Sequence, residues 1–357
     1  METAARAHKA EVVSIQYLRA LAALMVVTFH ALTTVTIFEN KLVASLTGTL
    51  SAGVDIFFVI SGFVMWYTTR GCGNTPSQFF LNRLIRIVPL YWLVTLLLMS
   101  VALIRPELLQ RTVFDLPHGI ASLFFLPWPR PLVPDEILPV VVTGWTLNYE
   151  MMFYAVFAFT LSMRTVPALI FLSATFAALL IVGWTASNPT IQSFYGNTII
   201  IEFLFGVIIG VAVTEGFRLP KRVAVAMMIT GVLLLALSTG WDGPRFLLWG
   251  VPAFAIVAGA VFYEKTAKIP SAVLFKHLGD ASYSIYLLHG IVMAVAAKFI
   301  RTMGMEHADT AGAVFMIVAA IAVSCVIGLM SYRVVEKPSN RILKRLIGTR
   351  SRKASPP

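Results

Sequence analysis

Arg19 and His30 lie inside one apolar run, 14–38, which at about 1.5 Å per residue is long enough to cross a bilayer. An arginine at the centre of a spanning helix costs roughly 3 kcal/mol on insertion scales, and less where its side chain snorkels to the surface. Eleven residues at about 100° each bring the pair to within about 20° of one helix face, about 16 Å apart along the axis. One stripe therefore carries a cation toward one membrane face and an imidazole toward the other. An imidazole can take or give a proton near neutral pH.

Other ionisable groups fall where they can join this stripe. The second run opens GVDIFFVISGF, and antiparallel passage puts Asp55 at about the depth of His30. There a carboxylate can orient the imidazole as a general base, or simply suit a helix N-terminus. Arg83 and Arg86, spaced i, i+3 at the cytosolic mouth of the third run, share a face and can grip a phosphate or anchor the chain. The segment GWTLNYEMMFYA brings Trp145, Tyr149 and Glu150 to the outer end of the fourth run, and Glu202 in IIIEFLFG repeats the acidic placement in the sixth. His289, about eight residues into the run that carries SYSIYLLHG, either meets the same cavity or is a buried histidine bonded to its neighbours. This is an outer polar cluster, His30, Asp55, Glu150 and Glu202, facing an inner basic one, Arg19, Arg83 and Arg86. Trp145, Tyr149, Glu202 and His289 are the candidates to contact a second substrate.

The elements that must hold these residues are membrane helices. The chain is 58% hydrophobic and 13% charged, with mean hydropathy +0.82, so its natural solvent is lipid. Ten runs qualify as spans: 14–38, 52–69, 85–104, 147–163, 166–184, 199–214, 223–240, 246–263, 281–300 and 312–333. The predicted fold is all-α and polytopic, with both termini cytosolic. That orientation puts twenty Lys and Arg inside and seven outside, with Arg19 in the membrane. The net charge of +11 sits between and after the apolar runs, which speaks for membrane orientation and against nucleic acid. Cys72 and Cys325 have neither redox nor metal spacing, so no disulfide and no metal are expected. The first run is long, is broken by Arg19 and precedes many more, so it reads as a retained anchor rather than a cleaved signal. Between 105 and 144 lies a proline-rich connection holding FFLPWPRPLVP, too apolar for a solvated linker and expected to pack across the outer mouth. The expected division is a cytosolic segment 1–13, a transmembrane domain 14–334 and a basic tail 335–357 that lies on headgroups.

Several blocks, in order, resemble the acyltransferase family 3 proteins: Arg19-x10-His30, GVDIFFVISGF, Arg83-x-x-Arg86, Trp145 to Glu150, Glu202-Phe-x-x-Gly206, SYSIYLLH and Glu336-x-Pro338. The form without a second domain is most similar to exopolysaccharide O-acetyltransferases of the succinoglycan-modifying type. The resemblance implies a multi-pass enzyme of the bacterial cytoplasmic membrane. It would move acetyl from cytosolic acetyl-CoA to a hydroxyl of an extracytoplasmic or lipid-linked glycan, and a homo-oligomer is compatible with it. It also implies that Arg19 and His30 are the essential pair and that Arg83 and Arg86 serve the CoA end. His30 would be either general base or transient acyl acceptor. A proton-coupled transporter or glycan flippase uses the same kinds of intramembrane charge. No internal repeat, of the sort secondary transporters often carry, is visible here.

Overall fold

The computed structural model describes residues 12–35, 47–73, 75–109, 112–238, 241–305 and 309–347. The segment 1–11 and the end of the basic tail, 348–357, lie outside the described residues. The chain is built of helices: α1 Val13–Thr34, α2 Gly53–Thr69, α3 Pro76–Ile104, α4 Leu116–Leu123, α5 Trp145–Phe159, α6 Thr165–Thr185, α7 Pro189–Tyr195, α8 Ile201–Thr214, α9 Lys221–Leu237, α10 Val251–Thr266, α11 Val273–Asp280, α12 Ser282–Thr302, α13 Thr310–Ser331 and α14 Lys337–Leu346. Among the described residues eight helical stretches are long and apolar enough to cross a membrane, so the protein is all-α and multi-pass. The other two expected spans are present as helices but are shorter: α5 has 15 residues and α9 has 17. The sixth run, by contrast, belongs to a longer stretch, Pro189–Thr214.

Helix starts follow local chemistry. The first N–H groups of α1 find no cap of their own, because Val12 has no side-chain acceptor. The Glu264 carboxylate at the end of α10 takes both, from Val13 N and Ser14 N at 2.8 Å each. Thr75 and Gln78 form a reciprocal capping box at the start of α3, with Pro76 in the first turn. The helix begins before the expected span boundary at 85, so Arg83 and Arg86 sit within a 29-residue helix.

The crossing of α2 and α8 depends on glycine. A Cβ on Gly62 would collide with the Phe203 carbonyl, and one on Gly206 with the Val59 carbonyl, so the two backbones touch where the side chains vanish. Around that crossing lies an aromatic core in which Phe153 stacks on Phe203 at 4.2 Å and Phe58 meets Phe203 edge-on at 4.7 Å.

The connection after α3 is structured over its described residues. It contains α4 and two antiparallel strands, β1 Pro129–Arg130 and β2 Val133–Ile137. Trp92 on α3 donates to the Leu123 carbonyl at 2.8 Å. Phe125 adopts φ +60°, strained for a residue with a side chain, and its ring stacks on buried Tyr91 of α3 at 4.8 Å. The described part of the basic tail is helical. α13 runs through a π-turn, Tyr332–Glu336, into α14, so the chain stays helical to Leu346.

Candidate functional site

Two cavities lie along the predicted stripe of α1. His30 lines a cavity of about 500 Å³ together with Trp145, Arg245, Trp249, Thr143 and Tyr286. Arg19 lines a narrower one, about 100 Å³, with Arg86, Glu150, Tyr154, Ser61, Tyr283 and Tyr286. Val54 and Tyr286 belong to both walls, so the cavities abut there. Tyr286 is held in place: its hydroxyl accepts from Thr146 at 3.2 Å, and its ring meets Phe57 edge-on at 5.7 Å. The eleven-residue spacing thus places Arg19 in one cavity and His30 in the other.

The Arg19 cavity is not simply basic. Arg86 lines it, and Arg83 lies close enough to interact with Glu150 and Arg86, its guanidinium over the Phe79 ring at 5.6 Å. The Arg83 Nε is buried without a hydrogen-bond partner among the described residues. Against these cations stand Glu150, Glu336 and Asp280, each interacting with Arg19. Glu336, buried in the π-turn, accepts a 2.6 Å hydrogen bond from Ser284 of α12. The expected separation into an outer polar and an inner basic cluster is therefore corrected. Glu150 sits with the arginines and not with His30, because five residues along α5 from Trp145 carry it about 7.5 Å deeper and round to another face.

Asp55 also departs from expectation. It is fully buried, and Arg245 binds it with both edges of a fork, Nε to Oδ1 at 2.9 Å and Nη2 to Oδ2 at 2.7 Å. With both carboxylate oxygens turned to the guanidinium, Asp55 does not orient His30. Glu202, likewise fully buried, lies behind this pair, against Asp55 and packed beside Gly250. It lines neither cavity. Tyr149 is a core residue: its ring stacks on Phe194 at 4.2 Å and its hydroxyl donates to the Phe194 carbonyl at 3.0 Å. Trp145, the other aromatic of that segment, does line the His30 cavity.

His289 stands where Asp55 was expected. Its ring centroid is 5.0 Å from that of His30, and Phe29 closes on His30 from another side at 4.7 Å. His289 is fully buried, its Nδ1 is 2.6 Å from the Tyr286 carbonyl, and its Nε2 has no partner among the described residues. A carbonyl only accepts, so Nδ1 carries the proton and Nε2 keeps its lone pair.

Arg245, Trp249, Thr143, Tyr286 and Glu336 were not picked out by sequence reasoning as site residues. One signal existed: Arg245 and Trp249 are spaced i, i+4, the helical spacing that stacks them, and the guanidinium lies over the indole at 4.5 Å. Among the described residues no group of His, Cys, Asp and Glu gathers as a metal site.

The chain is 38% identical over 297 residues to the exopolysaccharide production protein ExoZ of Rhizobium meliloti (strain 1021), covering 81% of this chain and 89% of that one. It is 27% identical over 344 residues to the acyltransferase MdmB of Streptomyces mycarofaciens, covering 83% and 82%. No solved structure matches. The family described as "Acyltransferase domain" matches residues 12–329, which takes in both cavities and every helix from α1 into α13. A multi-pass enzyme that moves acyl groups to oxygen, the chain belongs to this acyltransferase family.

Proposed function

We propose that this protein transfers acetyl from cytosolic acetyl-CoA to a hydroxyl of an exopolysaccharide or its lipid-linked precursor, at the bacterial cytoplasmic membrane. The observation that carries the reading is the abutment of the two cavities at Val54 and Tyr286, one holding Arg19 and Arg86, the other His30. A polyanionic donor suits the arginine side, where guanidinium groups can take phosphate or carbonyl oxygens with charge-assisted bonds. The acceptor suits the wider cavity, and ExoZ, a relative by sequence, is named for exopolysaccharide production. The excess of Lys and Arg on one side supports the orientation with the Arg19 end of α1 toward the cytosol.

In this reading a ring nitrogen of His30 takes the proton of the acceptor hydroxyl as its oxygen attacks the thioester carbonyl. The carbon–sulfur bond breaks, and the thiolate leaves with the proton returned by His30, giving an ester and free CoA thiol. In the two-step form His30 itself displaces the thiolate, holds the acyl group on nitrogen and passes it to the hydroxyl, with the same overall balance. His30 is half-buried, and its imidazole makes no hydrogen bond to the described residues, so a nitrogen is free for either role.

The test is transfer of labelled acetyl from acetyl-CoA to glycan in membrane vesicles, comparing unaltered protein with His30→Ala at equal protein level. Alkali-labile label on glycan, reduced by about 10²-fold or more in the variant, is the expected result. Label that is indifferent to the substitution would remove His30 from the chemistry.

A further inference from the structure

Arg245 is the one cation that lines the cavity of His30 among the described residues, and the fold immobilises it on two sides. Asp55 takes Nε and Nη2, and the Trp249 indole covers one face of the guanidinium. Nη1 has no partner among the described residues, and the side chain is 24% exposed where its walls open. An arginine fixed in this way loses little side-chain entropy when its remaining N–H groups bind a ligand.

Charge decides what that ligand is. Behind Arg245 stand two fully buried acids, Asp55, which already neutralises the guanidinium, and Glu202, whose carboxyl lies against that of Asp55. A second anion in the cavity would meet this pair with no unmatched cation to receive it, whereas a neutral hydroxyl or ring oxygen can accept from Nη1. Trp145 adds an aromatic wall, and Thr143 reaches the same space with its hydroxyl committed to the Leu287 carbonyl at 2.9 Å. At about 500 Å³ the cavity falls in the range of small-ligand sites, about 300–1,000 Å³.

We propose that Arg245, clamped by Asp55 and Trp249, forms with Trp145 a subsite for a neutral hexopyranosyl unit of the acceptor and brings one of its hydroxyls to His30. The inference rests on the acyltransferase reading, deepens its acceptor side and assigns Arg245 the role of holding the acceptor.

The test separates the two. Purified protein in lipid nanodiscs is dialysed against labelled neutral oligosaccharides, made by cutting the exopolysaccharide of the producing cells and stripping its alkali-labile esters, with polyuronate oligomers as competitor. Removing Arg245 alone would leave Asp55 buried and unpaired, so the variant is Asp55→Asn with Arg245→Gln, which keeps a neutral hydrogen-bonded pair. Trp145→Ala and Trp145→Phe accompany it. The expected result is binding by the unaltered protein, weakened about tenfold or more in the double variant and in Trp145→Ala, largely kept in Trp145→Phe, and indifferent to polyuronate. In the transfer assay the same variants raise the KM for oligosaccharide by a similar factor and leave the KM for acetyl-CoA unchanged. No binding by the unaltered protein at millimolar oligosaccharide, equal binding by the double variant, or displacement by polyuronate would overturn the subsite. Binding that behaves as expected without any acetyl transfer would keep the subsite and overturn the enzymatic assignment of donor and acceptor.

Discussion

The imidazoles of His30 on α1 and His289 on α12 lie with ring centroids 5.0 Å apart and planes tilted by 40°. Because the Nδ1–H of His289 is held by the Tyr286 carbonyl, the ring is fixed in one tautomer with its Nε2 lone pair on the side away from its own backbone. We propose that His289 positions His30 through this ring contact. His289→Phe, which keeps an aromatic ring of similar bulk, is expected to lower kcat about tenfold with both KM values little changed, since general acid–base assistance is worth about 10²–10⁴ and positioning is a fraction of it. His289→Gln, which retains an acceptor, should restore part of the loss. Steady-state kinetics on the two variants decide; equal kcat for both and for unaltered protein would leave His289 as packing.

The Asp55–Arg245 pair should matter to stability as well as to the site. Asp55→Ala strands a guanidinium that is three-quarters buried, and breaking a buried pair costs about 3–5 kcal/mol. The lower end applies because Arg245 keeps some solvent. Denaturation of the protein in detergent should show a clear drop for Asp55→Ala and a smaller one when Arg245→Met is combined with it, since the second change removes the stranded charge. Additive losses would mean the two residues do not act as a pair.

At the α2–α8 crossing, Gly62→Ala and Gly206→Ala each put a methyl group into a backbone carbonyl of the facing helix. Neither carbonyl can rotate away as a flexible side chain could, so the helices must separate, at a cost of about 1–3 kcal/mol. A lowered Tm for both variants is expected, together with reduced transfer, because Val54 and Ser61 of the same α2 line the cavities. An unchanged Tm would show that the crossing is looser than the glycines imply.

On the donor side, acetyl-CoA at about 100 times its Kd should stabilise the folded protein by about 2.7 kcal/mol. Arg86→Gln removes a cation that lines the Arg19 cavity and should abolish most of the thermal shift at a fixed ligand concentration. Arg86→Lys, which keeps charge but not the fork, should fall between. A full shift in Arg86→Gln would move the donor phosphates elsewhere.

The sequence by itself determined the solvent, the helical class and the family-bearing blocks. Apolar runs of span length in a 58% hydrophobic chain leave no other economical structure in lipid, where backbone groups must be satisfied within each helix. It also determined the relation of Arg19 to His30, because both lie on one helix and helical phase is local. Which residues meet across helices was decided by the tertiary structure alone. Counting along the runs puts Asp55 at the depth of His30, yet Asp55 turns to Arg245, 190 residues away, and His289 comes to His30 instead. Glu150 and Trp145 share a short helix, yet open into different cavities. Depth follows from counting along each run, but the rotation of each helix about its axis is set by contacts such as Gly62 on Phe203 and Gly206 on Val59, which only the packed bundle contains.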